Sequence, residues 1–271
     1  MKSIPVTIPY FDGKEAENVK KVLDSGWVAQ GPVVAQFEEA VCAHEKIGHG
    51  VATTSCTTAL HLAMAAEGLA AGMDVIVPAF TFVATANAAV ETGAVPVFAD
   101  ICQETFNIDT KHVRKIIEKD YTFDGGKLYN NETKNVLWGI VPVHEFGLCC
   151  DIGEINRIAE EYHLKVIEDA ACALGAKIGG THQGGFGNTS CISFHPRKSI
   201  TTGEGGMVLT NDAALAKRMK ELRTHGSTVS ADARHAGKGF LLPEFPETGY
   251  NYRMTDIQAA VGMAQIEKLD Q

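Results

Sequence analysis

The sequence has no apolar run long enough to cross a bilayer, because Gly, Pro or polar groups interrupt each stretch well short of about 20 residues. Its first residues, Met1-Lys2-Ser3-Ile4-Pro5, lack the apolar core of a signal peptide. It also has no block of Lys or Arg, and its formal net charge of −9 does not suit non-specific nucleic-acid binding. An anionic ligand would therefore need a local basic pocket. The seven cysteines are scattered singly except for Cys149-Cys150, and none has the spacing of a zinc site. Adjacent cysteines rarely bridge, so reduced thiols, no metal and a cytoplasmic location are expected. No internal repeat or low-complexity tract appears. The composition is otherwise ordinary for a soluble globular protein.

Within the 271 residues, helical and strand patterns alternate. Helical spacing marks Lys14–Ser25, Val33–Ala43, a helix opening at the hydroxyl cluster 53–58, Phe82–Glu91, Thr110–Lys119 and Ile152–His163. Between them lie short continuous apolar runs at Val75–Val77, Val95–Phe98, Val136–Val143 and Val166–Ile167. Two further runs, Cys191–Phe194 and Met207–Leu209, flank a Gly-rich turn. Runs without alternation imply strands covered on both faces, hence an α/β fold with a mainly parallel sheet between helices. Ligands of such sheets bind beyond the strand C-terminal ends. Segment 121–135, polar with a Gly pair, reads as an exposed insertion, and 226–249 as a long surface loop. The pattern of Ile257, Val261, Ala264 and Leu269 predicts a helix over Thr255–Gln271 with no stop signal, so the chain reads as truncated.

Four groups of residues could together hold pyridoxal phosphate (PLP), which needs an amine, an anion, phosphate donors and a flat partner. Lys198 follows a buried-type strand and precedes Thr201-Thr202-Gly203-Glu204-Gly205-Gly206, where backbone can approach a ligand closely. Alone it could equally be a solvated turn lysine. Asp169, in Val166-Ile167-Glu168-Asp169-Ala170-Ala171, stands at a strand's C-terminal end. It suits the pyridine nitrogen, or a cap on a following helix. Thr53-Thr54-Ser55-Cys56-Thr57-Thr58 opens a helix and offers hydroxyls and first-turn N–H groups to a phosphate, or is a plain capping cluster. Ser193 can add a hydroxyl. Phe80 and Phe82 each offer a ring for stacking, or belong to the core.

In order and spacing these segments resemble the DegT/DnrJ/EryC1/StrS family of PLP-dependent aminotransferases that act on nucleotide-linked keto sugars. The resemblance includes Ile8-Pro9-Tyr10-Phe11, Ser25-Gly26-Trp27-Val28 with Gly31-Pro32, and Pro78-Ala79-Phe80-Thr81-Phe82-Val83-Ala84-Thr85. It continues through Glu168-Asp169-Ala170-Ala171, Ser193-Phe194-His195 with Lys198, Gly203-Glu204-Gly205-Gly206 and Asn251-Tyr252-Arg253-Met254-Thr255-Asp256-Ile257-Gln258.

The resemblance implies a fold type I aminotransferase, with residues 1–250 as the PLP-binding large domain. Residues 251–271 would begin the helix leading to a small C-terminal domain that is largely missing. It further implies Lys198 as the Schiff-base lysine and Asp169 as partner of the pyridine nitrogen. Phe82 would stack on the ring. Cys56, Thr57 and Ser193 would hold the phosphate, with Asn251 reaching it from the second subunit of a homodimer. Two positions depart from the family: Cys172 stands where Gln or His is usual, and Cys56 where Gly or Ala is usual. Glutamate is the implied amino donor, and His195 in place of Tyr favours a 4-keto-6-deoxy sugar. The alternatives are a PLP- or pyridoxamine-phosphate-dependent sugar dehydratase, whose members carry His at the position of Lys198, and a non-enzymatic sugar-nucleotide-binding regulator.

Overall fold

Ile76 and its neighbours Val75 and Val77 point to opposite faces of one strand, and all three are wholly buried, as a two-sided sheet requires. The computed structural model describes residues 4–229 and 242–271, which fall into two compact units. One comprises Met1–Ala59 with Ser193–Gln271, and the other Leu60–Ile192.

The Leu60–Ile192 unit carries strands β2 (Met73–Pro78), β3 (Val95–Ala99), β6 (Val136–Ile140), β7 (Lys165–Asp169) and most of β10 (Thr189–Ser193). They lie side by side in the order β10-β7-β6-β2-β3, each pair parallel. The connections are helices α4 (Ala84–Glu91), α5 (Thr110–Asp120) and α6 (Ile152–Tyr162), so the expected mainly parallel α/β arrangement is present. Val113, Ile116 and Ile117 of α5 and Ile155 and Ile158 of α6 close one core with Ile76 and Ile140. Asp109 and Asp151 cap α5 and α6, their side chains accepting N–H groups of the first turns.

Segment 121–135 differs from its reading as an exposed insertion. It forms an antiparallel hairpin, β4 (Tyr121–Asp124) and β5 (Lys127–Asn130), closed by Gly125 and Gly126, both at positive φ as a two-residue turn demands. Tyr121 and Leu128 are buried, and the Tyr121 hydroxyl and the Asn130 and Asn135 amides all donate to the buried Asp74 carboxylate. Satisfying Asp74 ties the hairpin to the start of β2. A second small hairpin joins β8 (Lys177–Ile178) to β9 (Thr181–His182).

The other unit contains α1 (Lys14–Ser25), α2 (Pro32–Glu45), β1 (His49–Thr53) and the opening of α3 (Cys56–Ala66). After β10 it adds β11 (Gly206–Thr210), α7 (Ala213–Leu222) and α8 (Asp256–Ile266). Strands β1 and β11 pair antiparallel from His49 opposite Thr210 to Thr53 opposite Gly206, which makes the fold mixed rather than purely parallel. Helix α2 opens with Gly31 and Pro32, neither of which has a capping side chain. The buried Asp256 carboxylate of α8 replaces the cap by accepting the N–H groups of Gly31, Val33 and Val34. Gly262 of α8 lies so close to the Phe37 ring of α2 that a Cβ there would sit 2.6 Å from it.

Helix α8 is shorter than the predicted span to Gln271. Beyond Ile266 the chain winds in i→i+3 turns, and Lys268 reaches back to Asp12 and Glu15. Residues 230–241 of the expected surface loop 226–249 lie outside the described residues. Among the described residues no helix is long and apolar enough to cross a membrane.

A buried ion pair anchors β1. Glu38 accepts from the Arg223 guanidinium at 2.6 Å and from the Ala52 N–H at 2.9 Å, and Lys220 lies 3.1 Å from its other oxygen. Removing one partner of such a pair strands a buried charge, so Glu38→Ala should cost about 3–5 kcal/mol of stability. A urea midpoint unchanged from wild type would show that Arg223 finds other compensation.

Candidate active site

Strand β7 ends in two adjacent carboxylates, and the period of a strand sends them to opposite faces. Glu168 is fully buried. Its Oε2 accepts from His144 Nε2 at 2.7 Å and the Gly184 N–H at 3.0 Å, and its Oε1 from the Asn188 amide at 3.0 Å. The Cys150 N–H donates to His144 Nδ1, which leaves the ring proton on Nε2, facing Glu168.

Asp169, 5% exposed, is gripped through its backbone on both flanks: its N–H donates to Pro142 O, its carbonyl accepts from His144 N, and Ala170 N–H donates to Cys191 O. Its side chain accepts the Thr85 hydroxyl on Oδ2 at 2.7 Å and the Ala171 N–H on Oδ1 at 3.1 Å. Residues 170–176 form turns, so Asp169 caps no helix and that reading falls away. A carboxylate at a strand's C-terminal end, with a neutral donor on each oxygen, suits a cationic ring nitrogen.

Phe82 lies on the turn entering α4, where Thr85 N–H donates to its carbonyl. Its ring is 78% exposed, which excludes the core alternative and leaves a flat face for a ligand. Phe80 instead packs in a cluster with Phe106 and Phe146, with ring centroids 5.4 to 6.3 Å apart. Cys172 is exposed on the turn after Asp169, and Gly147 packs against its carbonyl.

The other unit holds the remaining residues. Ser55 Oγ accepts the Thr58 N–H, and the Thr58 hydroxyl bonds back to Ser55, so part of the 53–58 cluster is a helix cap. Cys56, buried, and Thr57, half-buried, follow in the first turn, and the Thr57 hydroxyl makes no hydrogen bond among the described residues. At Gly206 any Cβ would stand 2.4 Å from the backbone of Ser55, so glycine alone lets β11 approach this turn.

Lys198 is half-buried on the loop after β10, where its N–H donates to His195 O. That loop is closed by Phe194 N–H to Gly205 O and by Thr201 and Thr202 to Phe194 O. Ser193 is buried at the end of β10, its Oγ accepting the His195 N–H. Asn251 is exposed and bridges Thr224, while Thr54 N–H donates to Tyr252 O, which brings the 251–253 segment beside the hydroxyl cluster.

Thr85, His144 and Asn188 were missed in the sequence. Thr85 could have been found from its place three residues after Phe82 on one helical turn. The other two come from distant loops and carry no local signal.

The DegT/DnrJ/EryC1/StrS aminotransferase family model matches residues 9–271. The chain is 39% identical over 269 residues to the GDP-perosamine synthase of Caulobacter vibrioides, covering 99% of this chain and 66% of that protein. It is 37% identical to the spore coat polysaccharide biosynthesis protein SpsC of Bacillus subtilis, covering 98% of this chain and 64% of that one. Among solved structures it is similar to Helicobacter pylori PseC, an aminotransferase involved in the biosynthesis of pseudoaminic acid. That match has a TM-score of 0.84 at 32% identity and covers 99% of this chain and 66% of that one. The chain thus spans about two thirds of the length of these relatives.

All seven cysteines are free thiols. Burial pushes the Cys150 and Cys191 thiols well up, and burial with nearby Glu38 pushes Cys42 up to about 11. Iodoacetamide at pH 8 attacks thiolates, so it should modify exposed Cys172 first and spare Cys150 and Cys191 until unfolding. Early labelling of Cys191 would contradict the packing of β10.

Proposed function

We propose a function from one premise: this chain belongs to the DegT/DnrJ/EryC1/StrS aminotransferase family. It moves an amino group from glutamate to a nucleotide-linked keto sugar, with PLP as cofactor, and it works as a homodimer. The Asp169 carboxylate carries this reading, because it ends a central parallel strand, caps no helix and accepts from the Thr85 hydroxyl and the Ala171 N–H.

The residue types present suit PLP: a carboxyl for the pyridine nitrogen, an exposed ring at Phe82, first-turn groups at Cys56 and Thr57, and a primary amine on a Gly-closed loop. When bound, PLP supplies an electron sink for the pair left behind when the donor's α-proton departs. Lys198 Nζ would hold the cofactor, and as a free amine it would serve as the base for the donor's α-proton and as the acid that gives it back. Asp169 keeps the proton on the ring nitrogen. Phe82 fixes the ring plane, while Cys56, Thr57, Ser193 and Asn251 of the second subunit hold the phosphate.

Cys172 stands where Gln or His is usual. A thiol is a weak hydrogen-bond partner, so it tunes the ring less. His195 supports a 4-keto-6-deoxy sugar. The names of the GDP-perosamine synthase and PseC relatives support an aminated sugar as product. Lys198, in place of His, speaks against the dehydratase.

Borohydride reduction of the PLP-loaded protein, followed by peptide mapping, should find the pyridoxyl group on Lys198, and Lys198→Ala should lose both the label and transamination. A label on another lysine would sink the assignment. Asp169→Asn keeps the shape without the charge and should slow proton abstraction by about two to three decades while PLP still binds. Near-normal half-reaction rates would remove Asp169 from the chemistry. Offering 3-keto and 4-keto nucleotide sugars with glutamate, and reading products by mass, tests the substrate.

A further inference from the structure

We propose that Thr85 is a positioning residue for the cofactor's ring nitrogen, acting through the hydrogen bond its hydroxyl donates to Asp169. This inference rests on the reading of Asp169 above and assigns a role to a residue that reading does not use.

Thr85 is wholly buried in the first turn of α4, and its Oγ1 lies 2.7 Å from Asp169 Oδ2. A threonine hydroxyl has a single hydrogen to give. Its possible acceptors are the Thr81 hydroxyl at 3.3 Å, the Phe82 carbonyl at 3.2 Å and the Asp169 carboxylate at 2.7 Å. The shortest contact, to a group that can carry full charge, wins the proton. The Thr81 hydroxyl, 3.3 Å from Thr85 Oγ1 and one helical turn earlier, can then donate to the oxygen of Thr85. The result is a relay in which every hydrogen points toward the carboxylate. Such an arrangement favours the ionised acid and fixes the plane of its two oxygens.

The choice of threonine has a reason beyond the hydroxyl. A β-branched side chain has a restricted χ1, so a buried threonine loses less freedom than serine in holding the same donor in place. The same turn carries Phe82, whose carbonyl accepts the Thr85 N–H. One helical turn therefore sets both the exposed ring and the orientation of the acid. A shift of the α4 N-terminus would disturb the two together.

Thr85→Val removes the donor at nearly constant volume. In the full chain stripped of PLP and titrated with PLP by absorbance, it should bind about tenfold more weakly, and Thr85→Ser should return to within about twofold of wild type. A purely structural role predicts that the valine penalty adds to that of Asp169→Asn. Positioning through the carboxylate predicts that Thr85→Val costs little more in the Asp169→Asn background. Wild-type affinity in Thr85→Val, failure of serine to rescue, or full additivity in the double variant each overturns the proposal. Should the valine variant not fold, as read by its thermal transition, Thr85→Ala takes its place in the same cycle. A wild-type chain that binds no PLP would instead bring down the functional reading itself, and this inference with it.

Discussion

Two consecutive carboxylates, Glu168 and Asp169, end one strand with almost no exposure, and the local structure around them follows from that burden. An unpaired buried carboxylate would cost many kcal/mol, so each must be given donors. Glu168 draws its donors from two separate segments, the loop of His144 and the β9–β10 connection that carries Gly184 and Asn188. Asp169 draws on donors that include the Thr85 hydroxyl and the next backbone N–H. The pair thus divides its work by face. Glu168 knits loops together on one face of the strand, and Asp169 bonds to the first turn of α4 on the other.

The second unit solves a different problem, the approach of backbone to backbone. Gly206 lets β11 lie against the Ser55 turn, and Gly262 lets α8 lie against the Phe37 ring. Asp256 supplies the cap that Gly31 and Pro32 cannot, and it does so from a segment more than two hundred residues away. Glu38 and Arg223 join the base of β1 to the end of α7. The hydroxyl cluster that opens α3 is held by these long-range ties, and its own Ser55 and Thr58 spend their side chains on capping.

Hydrophobic periodicity alone marked α1, α2, α5, α6 and the strands β2, β3, β6 and β7 close to their observed bounds, because their apolar spacing is dictated by the burial that forms them. Turn chemistry was underread at Asp124-Gly125-Gly126, where the Gly pair closes a hairpin. Helix α7 and strand β1 escaped notice because neither announces itself by a long apolar pattern. Lys198, Asp169, Phe82 and the 53–58 cluster stood out as candidates through residue type at the ends of elements and through the order of the family's segments.

Residue chemistry determined which side chains could serve a PLP enzyme, since amine, acid, ring and hydroxyl are covalent properties of the chain. Only tertiary structure decided between the readings each residue left open. Asp169 is no cap because the chain after it turns instead of coiling, and Phe82 is no core residue because its ring faces outward. Thr85 and His144 acquire their roles only when packing brings them to β7, 84 and 24 residues from their partners, a proximity that no local pattern encodes. Hydrogen bonds between distant segments are chosen by the folded geometry, and so the environment that sets each acid's task is written in the fold rather than in the adjacent sequence.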